Sequence, residues 1–277
     1  MTGIQGVLNG NFNLLEKIKV SPLSRAYTFS DSVYEVIPFF NNNFIAFNDH
    51  IKRLKKSCDS LSININLEEV KLEILELFDR KDFFDGYIYY QISRGVDEIR
   101  SHMHDDNIRS ERFGYIKDHN FETQHLSVMI FDDLRWGRCD IKTTSLLGNV
   151  QTMNEARKNG CDEIIMHKDN ILTEAGASNI FFVIDNRVFT PSLSNNILPG
   201  ITRQLLIEIM HENSIELSEG KFNISELKKS SCIWLCSSTK GLAPVCEIKN
   251  LDVELDVDNK VFLKCKNLFA SRFLSRS

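Results

Sequence analysis

The stretch of residues 140–203 constrains the fold most, because short helical and extended segments follow one another in it. Apolar periodicity and the turn residues between the segments predict each of them. In chain order they are a strand over 138–143, a helix over 149–159 that ends at Gly160, a strand over 162–167, an extended segment over 171–174, and a hairpin of 179–184 with 187–190 around Asp185-Asn186. A chain in which such segments alternate is expected to fold into a mixed structure of helices and strands.

Pro199 and Gly200 break the chain immediately before Ile201, which opens a helix with an apolar face. The first backbone N–H groups of a helix have no intrahelical partner and carry partial positive charge, so a phosphate can bind there. An ordinary loop that leads into a helix has the same pattern. From the residues alone, both interpretations stay open.

The rest of the chain carries patterns of the same kinds. Asn9-Gly10 predicts a hairpin within residues 4–14. Apolar residues at spacings of three and four predict an amphipathic helix from Phe47 to Leu61, with Asn48 as its N-cap. Further predicted elements are strands over 33–40, 87–93 and 126–131, and helices over 67–79 and 259–274. The polar stretch 117–124 lies between strands and is the predicted domain boundary.

Composition limits the functional classes. The 277 residues suffice for one large or two medium domains. A net charge of −5 argues against a general nucleic-acid binder. The first residues carry no secretory signal, and no apolar run is long enough to span a bilayer, so we expect no membrane partner.

The cysteines indicate a reducing compartment. There are seven of them, an odd number without a C-x-x-C pair, which favours reduced thiols in the cytoplasm over a disulfide framework. Cys232 and Cys236 have a spacing that half a metal site could use. Their apolar, strand-like flanks favour buried thiols instead, and we predict no metal site.

Several motifs occur in an order that carries a family resemblance. They are DSVYEV, FNDHIKRL, YYQISRG, DIKTTSLLGNV, LTEAGASNIFF, VFTPSLSNNILPGITR and SSTKGLAPV. Together they resemble the fold-type IV pyridoxal-phosphate enzymes, which include branched-chain aminotransferases, D-amino-acid aminotransferases and aminodeoxychorismate lyases. The D-amino-acid branch is the most similar, and the match spans nearly the whole chain.

The resemblance implies an α/β (α+β) fold of two domains. Residues 1–118 are expected to form an N-terminal α/β domain, and residues 119–277 a C-terminal barrel-like domain, with the cofactor site between them. It also implies a homodimer that acts on a small amino or keto acid or another small carboxylate.

The resemblance further implies which residues bind the cofactor. Arg53 matches the arginine that grips the cofactor phosphate, and Glu174 matches the carboxylate that pairs with the pyridine nitrogen. Ile201 and Thr202 match backbone phosphate ligands, and Ser238 stands where the family has a phosphate-binding threonine. Taken without the resemblance, Arg53 would be a solvated surface arginine and Glu174 a surface residue beside a turn.

Three residues are expected to face the substrate. Tyr34 matches the aromatic residue beside the cofactor, although a strand aromatic packed in a core has the same pattern. Arg100 and His102 resemble the Arg-x-His carboxylate trap of the D-amino-acid branch, one residue further from Arg94-Gly95 than expected. A polar loop in water is the alternative for that pair.

Met153 is the main departure from the family. It occupies the position of the lysine that forms the Schiff base and moves the substrate proton, and a thioether does neither. The chain is therefore a natural non-transaminase, an engineered lysine substitution, or an enzyme in which another lysine has taken over. Lys142 and Lys158 are the nearest lysines in sequence, but Lys158 lies five residues along the helix and points elsewhere.

These observations favour a site that still binds pyridoxal phosphate (PLP) or pyridoxamine phosphate (PMP) noncovalently, with ordinary transamination impaired. Two alternatives come from other functional classes. One is a pseudoenzyme that acts as a partner or regulatory subunit. The other is a cofactor-independent enzyme that reuses the pocket.

Overall fold

The computed structural model describes residues 3–275. Two compact units are present. The first comprises the described residues up to Asn120 together with Ile141–Ser145, and the second comprises Phe121–Asp140 and the described residues from Leu146 onward.

The first unit is built around one six-stranded sheet. Its strands are β1 (Gln5–Leu8), β2 (Asn11–Leu14), β3 (Ser32–Phe40), β4 (Asn43–Phe44), β5 (Gly86–Ser93) and β6 (Glu111–Asp118). Its helices are α1 (Arg25–Phe29), α2 (Phe47–Ser60) and α3 (Leu67–Asp79). The sheet order is β2-β1-β6-β5-β3-β4. The predicted hairpin at Asn9-Gly10 and the predicted helix over 67–79 are both confirmed.

Helices α2 and α3 bury their apolar faces in the core of the first unit. The α2 residues Ile51, Leu54 and Cys58 belong to that core, together with Ile74 of α3 and Ile37 of β3. Burying each of the leucine and isoleucine side chains contributes about 1.5–3 kcal/mol. This packing fixes the face of α2 that carries Arg53.

Two local predictions are wrong. The N-cap of α2 is Ala46, not Asn48, because the backbone N–H groups of Asp49 and His50 already donate to the Ala46 carbonyl. Residues 138–143 do not form a strand. Of these residues, only Thr143 forms a β-bridge, and its partner is Val33 on β3. The short strand β4 pairs with Phe39 and Phe40 on the same edge of β3 and does not extend to Val33.

The second unit contains an eight-stranded sheet. Its strands are β7 (Leu126–Asp132), β8 (Glu163–Lys168), β9 (Ile171–Ala175), β10 (Asn179–Ile184), β11 (Arg187–Pro191), β12 (Leu217–Gly220), β13 (Cys232–Ser237) and β14 (Gly241–Ile248). Its helices are α4 (Leu147–Lys158), α5 (Ile201–Glu212), α6 (Ile224–Leu227) and α7 (Lys260–Phe273). The predicted helix over 149–159, the strand over 162–167 and the hairpin at Asp185-Asn186 are confirmed, with small shifts at their ends.

This sheet curls back on itself. Its order is β12-β11-β10-β13-β14-β7-β8-β9, so β12 and β9 stand at opposite ends. Nevertheless, the backbone N–H of Leu172 on β9 donates to the carbonyl of Phe222, just past β12, at 2.8 Å. The expected mixed α/β fold with a barrel-like second part is thereby confirmed.

The thiols on β13 lie in the apolar interior. Cys232 and Cys236 are both buried, and burial raises the pKa of each to about 12. The prediction of buried thiols at these positions is confirmed. Among residues 3–275, no helix has the length and apolar character that crossing a membrane requires.

Candidate functional site

Glu174 on β9 is the central charged residue of the candidate site in the second unit. It is buried, and its carboxylate accepts hydrogen bonds from Arg135 Nη1, from Asn179 Nδ2 at 3.1 Å and from the backbone N–H of Leu198 at 3.1 Å. The alternative of a surface glutamate beside a turn is therefore wrong. A buried carboxylate held by three donors has a fixed direction.

Arg135 is shared between two carboxylates. Its Nε and Nη2 donate to Asp133 at 2.8 and 2.6 Å, while its Nη1 donates to Glu174. Thr173 Oγ1 also donates to Asp133, at 2.8 Å. One guanidinium therefore faces two carboxylates in a buried space, and full ionisation leaves this cluster with a net negative charge.

The pKa values of the two carboxyl groups shift in opposite directions. Burial raises the pKa of Asp133, but the hydrogen bonds and charge of Arg135 outweigh burial and hold it below its ordinary value. Burial raises the pKa of Glu174 to about 7, and Arg135 offsets only part of the effect. The proton that this cluster takes up near neutral pH therefore resides on Glu174.

We expect Glu174 to make stability fall as the pH rises from about 5 to about 7. In the unfolded chain a glutamate loses its proton at roughly pH 4.3, whereas folded Glu174 keeps it up to a pH of about 7. The folded state thus binds more protons in this window, and the free energy of unfolding decreases by roughly 3 kcal/mol. A Glu174→Gln variant lacks this decrease.

Urea unfolding of both proteins at several pH values measures this effect. Burial lowers the pKa of His50, so this histidine makes stability rise with pH. Because both proteins contain His50, the difference between their two curves isolates the contribution of Glu174. Parallel curves for the two proteins would contradict the assignment.

The start of α5 is connected to Glu174 through Asn179. Gly200 is the N-cap of α5 and makes no side-chain cap, and Ile201 and Thr202 in the first turn are buried. A Cβ on Gly200 would clash with Asn179 Oδ1. Asn179 also donates to Glu174, so one side chain spans the carboxylate and the N-terminus of the helix.

Ser238 lies in the turn that follows β13 and is half-buried. Cys236 on β13 is paired with Asn179 on the neighbouring strand β10. Ser238 therefore lies two residues after the partner of Asn179. The second unit thus brings Glu174, Ile201 and Thr202 together around Asn179. Ser238 follows at the end of the adjacent strand.

Met153 lies on α4 and is half-buried against an apolar cluster that includes Ala156 and Ile164. Gly176 lies directly beside its side chain. A Cβ on Gly176 would clash with Met153 Sδ and would lie 2.6 Å from Glu163 Oε1. The thioether of Met153 and the carboxylate of Glu163 therefore meet at one glycine.

Arg53 in the first unit is buried on α2, so the alternative of a solvated arginine is wrong. Its Nε and Nη2 donate to the two oxygens of Glu35, at 2.7 and 2.8 Å, and His50 Nδ1 lies 2.7 Å from the same carboxylate. Burial raises the pKa of Glu35, but Arg53 and His50 outweigh it and hold this pKa well below its ordinary value. Phosphate binding by Arg53 stays a prediction.

Tyr34 and Lys142 contact each other in the first unit. The Tyr34 ring is half-buried and stacks on Tyr89 with 5.5 Å between ring centres. Lys142 Nζ lies 4.2 Å from the centre of the Tyr34 ring, a cation–π distance. The Lys142 amine is thus placed against an aromatic face.

Arg100 and His102 lie on an exposed loop beside Phe29. The guanidinium of Arg100 is 4.6 Å from the Phe29 ring centre, and the His102 ring is 5.3 Å from it. Arg25 binds the carbonyl of Ser101 at 2.8 Å and so fixes the backbone between them. A role in carboxylate binding stays a prediction for both residues.

Sequence reasoning missed Arg135, Asp133 and Asn179. Asp133 and Arg135 follow the end of β7, and Asn179 begins β10. Polar residues at strand ends were the available signal, and such residues are common in surface loops as well.

Comparison with known proteins agrees with the fold and with the family resemblance. The family model described as Amino-transferase class IV matches residues 32–248. This chain belongs to the class IV aminotransferase family. The D-alanine aminotransferase of Listeria monocytogenes serotype 4b (strain F2365) is 31% identical over 257 residues, which cover 89% of this chain and 88% of that protein.

Two solved structures share the fold. The branched-chain aminotransferase of the thermophilic archaeon Thermoproteus uzoniensis with norvaline superposes with a TM-score of 0.87 at 22% identity, over 98% of this chain and 95% of that one. The branched-chain amino acid aminotransferase of Thermobaculum terrenum in its PLP form has a TM-score of 0.88 at 19% identity, over 99% and 94% of the two chains.

Proposed function

We propose that this chain binds PLP or PMP by noncovalent contacts, without a bond to residue 153, and that ordinary transamination is impaired in it. The proposed substrates are small amino or keto acids, in line with the D-alanine aminotransferase relatives. The buried cluster in which Asp133 and Glu174 share the guanidinium of Arg135 is the observation that carries this proposal.

The Glu174 cluster fits a protonated pyridine nitrogen. When bound, the cofactor supplies an electron sink for the substrate α-carbon, provided that its ring nitrogen stays protonated. The guanidinium of Arg135 is shared by Asp133 and Glu174, so ionisation of both carboxyl groups leaves one buried negative charge without a partner. A protonated pyridine nitrogen beside Glu174 would offset that charge. The role of Glu174 is to hold a proton at that nitrogen.

The phosphate end is assigned to the start of α5 and to neighbouring hydroxyl groups. The Ile201 and Thr202 N–H groups lie in the first helical turn, which contains no acidic residue. Together with the partial positive charge of a helix N-terminus, they suit an anion. The hydroxyl groups of Thr202 and Ser238 complete the phosphate ligands proposed in the second unit, and Arg53 keeps the phosphate-binding role expected from the sequence.

Met153 accounts for the proposed loss of ordinary transamination. Its thioether has no proton to exchange and cannot form an imine. Loss of a group that acts as nucleophile, acid and base commonly costs several powers of ten in rate. We assign Tyr34, Arg100 and His102 to the substrate, and the homodimer and cytoplasmic location expected from the sequence remain predictions.

Titration calorimetry with PMP tests cofactor binding, because PMP lacks the aldehyde and reports noncovalent contacts alone. We expect saturable binding to the purified protein. A Glu174→Ala variant is expected to lose at least about tenfold in affinity, since the proposed ion pair with the ring contributes about 1.5 kcal/mol or more.

Glu155→Ala is the matched control, because Glu155 lies exposed on α4 in an ion pair with Lys158. Its affinity for PMP should equal that of the wild type. No binding of PMP to the wild type would overturn the proposal and direct attention to a partner-subunit role or to a cofactor-independent reaction.

A further inference from the structure

Glu163 is a fully buried carboxylate at the start of β8, beside the residue that replaces the expected lysine. The Met153 sulfur and Glu163 Oε1 both lie within van der Waals reach of a single point, the position of a Cβ on Gly176. Glu163 is therefore a neighbour of the side chain at position 153. An ionised carboxylate at this depth requires a cation nearby.

Lys240 provides that cation. Its Nζ lies 2.9 Å from Glu163 Oε2, and its side chain retains 22% exposure. Lys240 belongs to the turn between β13 and β14, where its backbone N–H donates to Ser237 Oγ at 3.3 Å. This is the turn that begins with Ser238. An amine from a different part of the sequence thus reaches the carboxylate that borders Met153.

The two lysines nearest in sequence have different surroundings. Lys158 is exposed on α4, with its Nζ 3.2 Å from Glu155 in a helical ion pair. Lys142 lies with its Nζ over the Tyr34 ring. Lys240 instead contacts Glu163, the carboxylate that borders the Met153 side chain.

We propose that Lys240 is the reactive amine of this site and takes the place of the lysine that residue 153 lacks. The inference rests on the proposed function and adds one reversible bond to the noncovalent contacts described above. It assigns Lys240 to carbonyl compounds, with an aldehyde as the ligand class. Glu163 is the positioning residue that holds the amine and accepts its proton.

The chemical step balances without a further reactant. Glu163 accepts one proton from the Lys240 ammonium and becomes a neutral carboxylic acid. The free Lys240 nitrogen then forms a bond to the carbonyl carbon of the aldehyde. The carbon–oxygen bond breaks, a carbon–nitrogen double bond remains, and the oxygen leaves as water. The reverse step returns the aldehyde, the ammonium group and the Glu163 carboxylate.

Reductive trapping identifies the amine independently of any turnover. The purified protein is incubated with PLP, reduced with borohydride, digested, and mapped by mass spectrometry for phosphopyridoxyl lysine. We expect Lys240 to carry the label, at a level at least about tenfold above that of any other lysine. A Lys240→Arg variant keeps the positive charge beside Glu163 and is expected to lose this label.

Lys158→Arg is the matched control, since it removes an exposed lysine of the same helix as Met153 and should leave the labelling unchanged. Circular dichroism and urea unfolding confirm that Lys240→Arg is folded. Labelling that stays as strong in Lys240→Arg, or that falls mainly on another lysine, overturns the assignment.

Calorimetry with PMP separates this inference from the proposed function. If PMP binds to both wild type and Lys240→Arg while PLP is not fixed on Lys240, the inference fails and the cofactor site stands. If PMP binds to neither protein and no lysine is labelled, the proposed function fails together with the inference. PMP binding with label on Lys240 supports both.

Discussion

A Met153→Lys variant is expected to gain a borohydride-reducible absorbance band with PLP and to transaminate at least about a hundredfold faster than the wild type. The new amine would lie beside Gly176 and Glu163, where the Met153 sulfur now is. General acid–base catalysis by a positioned side chain contributes about 10²–10⁴-fold, and this residue would also serve as nucleophile. Absorbance spectra and a transamination assay with a small amino acid and a keto acid measure the gain.

Val150→Lys is the control for this variant. Val150 is exposed on the same helix, with 51% of its surface accessible, so an amine there adds the same charge to α4 while Met153 stays in place. In Met153→Lys, the label from reductive trapping should move from Lys240 to residue 153. PMP binding without any gain in activity would show that the absence of a lysine at position 153 is not what limits transamination.

The second large effect is expected on stability, in an Arg53→Met variant. Arg53 neutralises Glu35, which is fully buried, through two hydrogen bonds of 2.7 and 2.8 Å. Removing one partner of a buried ion pair leaves an uncompensated charge and costs about 3–5 kcal/mol. Urea unfolding at neutral pH measures the loss, and Arg53→Lys is expected to recover part of it.

Arg80→Met serves as the matched control, because Arg80 pairs with Glu76 on the exposed face of α3. Such a surface pair contributes about 0–1 kcal/mol. Equal losses in the two variants would mean that Glu35 finds another partner or takes up a proton. Because Arg53 stabilises the first unit in this way, a loss of cofactor binding in Arg53→Met must be corrected for unfolding.

Much of the fold could be predicted from local patterns. Helix α3 was predicted at its observed bounds because its apolar spacing is regular and Asn66 caps it through the N–H groups of Glu68 and Glu69. The hairpin at Asp185-Asn186 was predicted because both residues tolerate positive φ, which is 49° and 63° here. In each case the signal lies within a few residues of the element.

The failed strand prediction, unlike the local one at the N-cap of α2, depends on contacts with a distant part of the chain. Residues 138–143 have a strand-like composition, but the partner available to them is a short edge of β3 about a hundred residues earlier, as the bridge between Val33 and Thr143 shows. The Arg53–Glu35 pair likewise joins α2 to β3. Composition and periodicity carry no information on such pairings.

For the site, family motifs pointed to Glu174 and the start of α5 but not to the charges around them. Arg135 gives no periodic signal, and its importance comes from the two carboxylates that fold onto it. Lys240 was visible only as a residue within the SSTKGLAPV motif. Its contact with Glu163 joins β8 to the turn after β13, which no local pattern predicts.

The position of β14 has a consequence for how the second unit is made. Its pairing with β13 on one side and with β7 on the other joins β12-β11-β10-β13 to β7-β8-β9. During synthesis, β7 emerges more than a hundred residues before β14 and waits with one edge unpaired. Such non-local pairing slows folding and exposes strand edges to other chains. The eight-stranded sheet can therefore be completed only after β14 has left the ribosome.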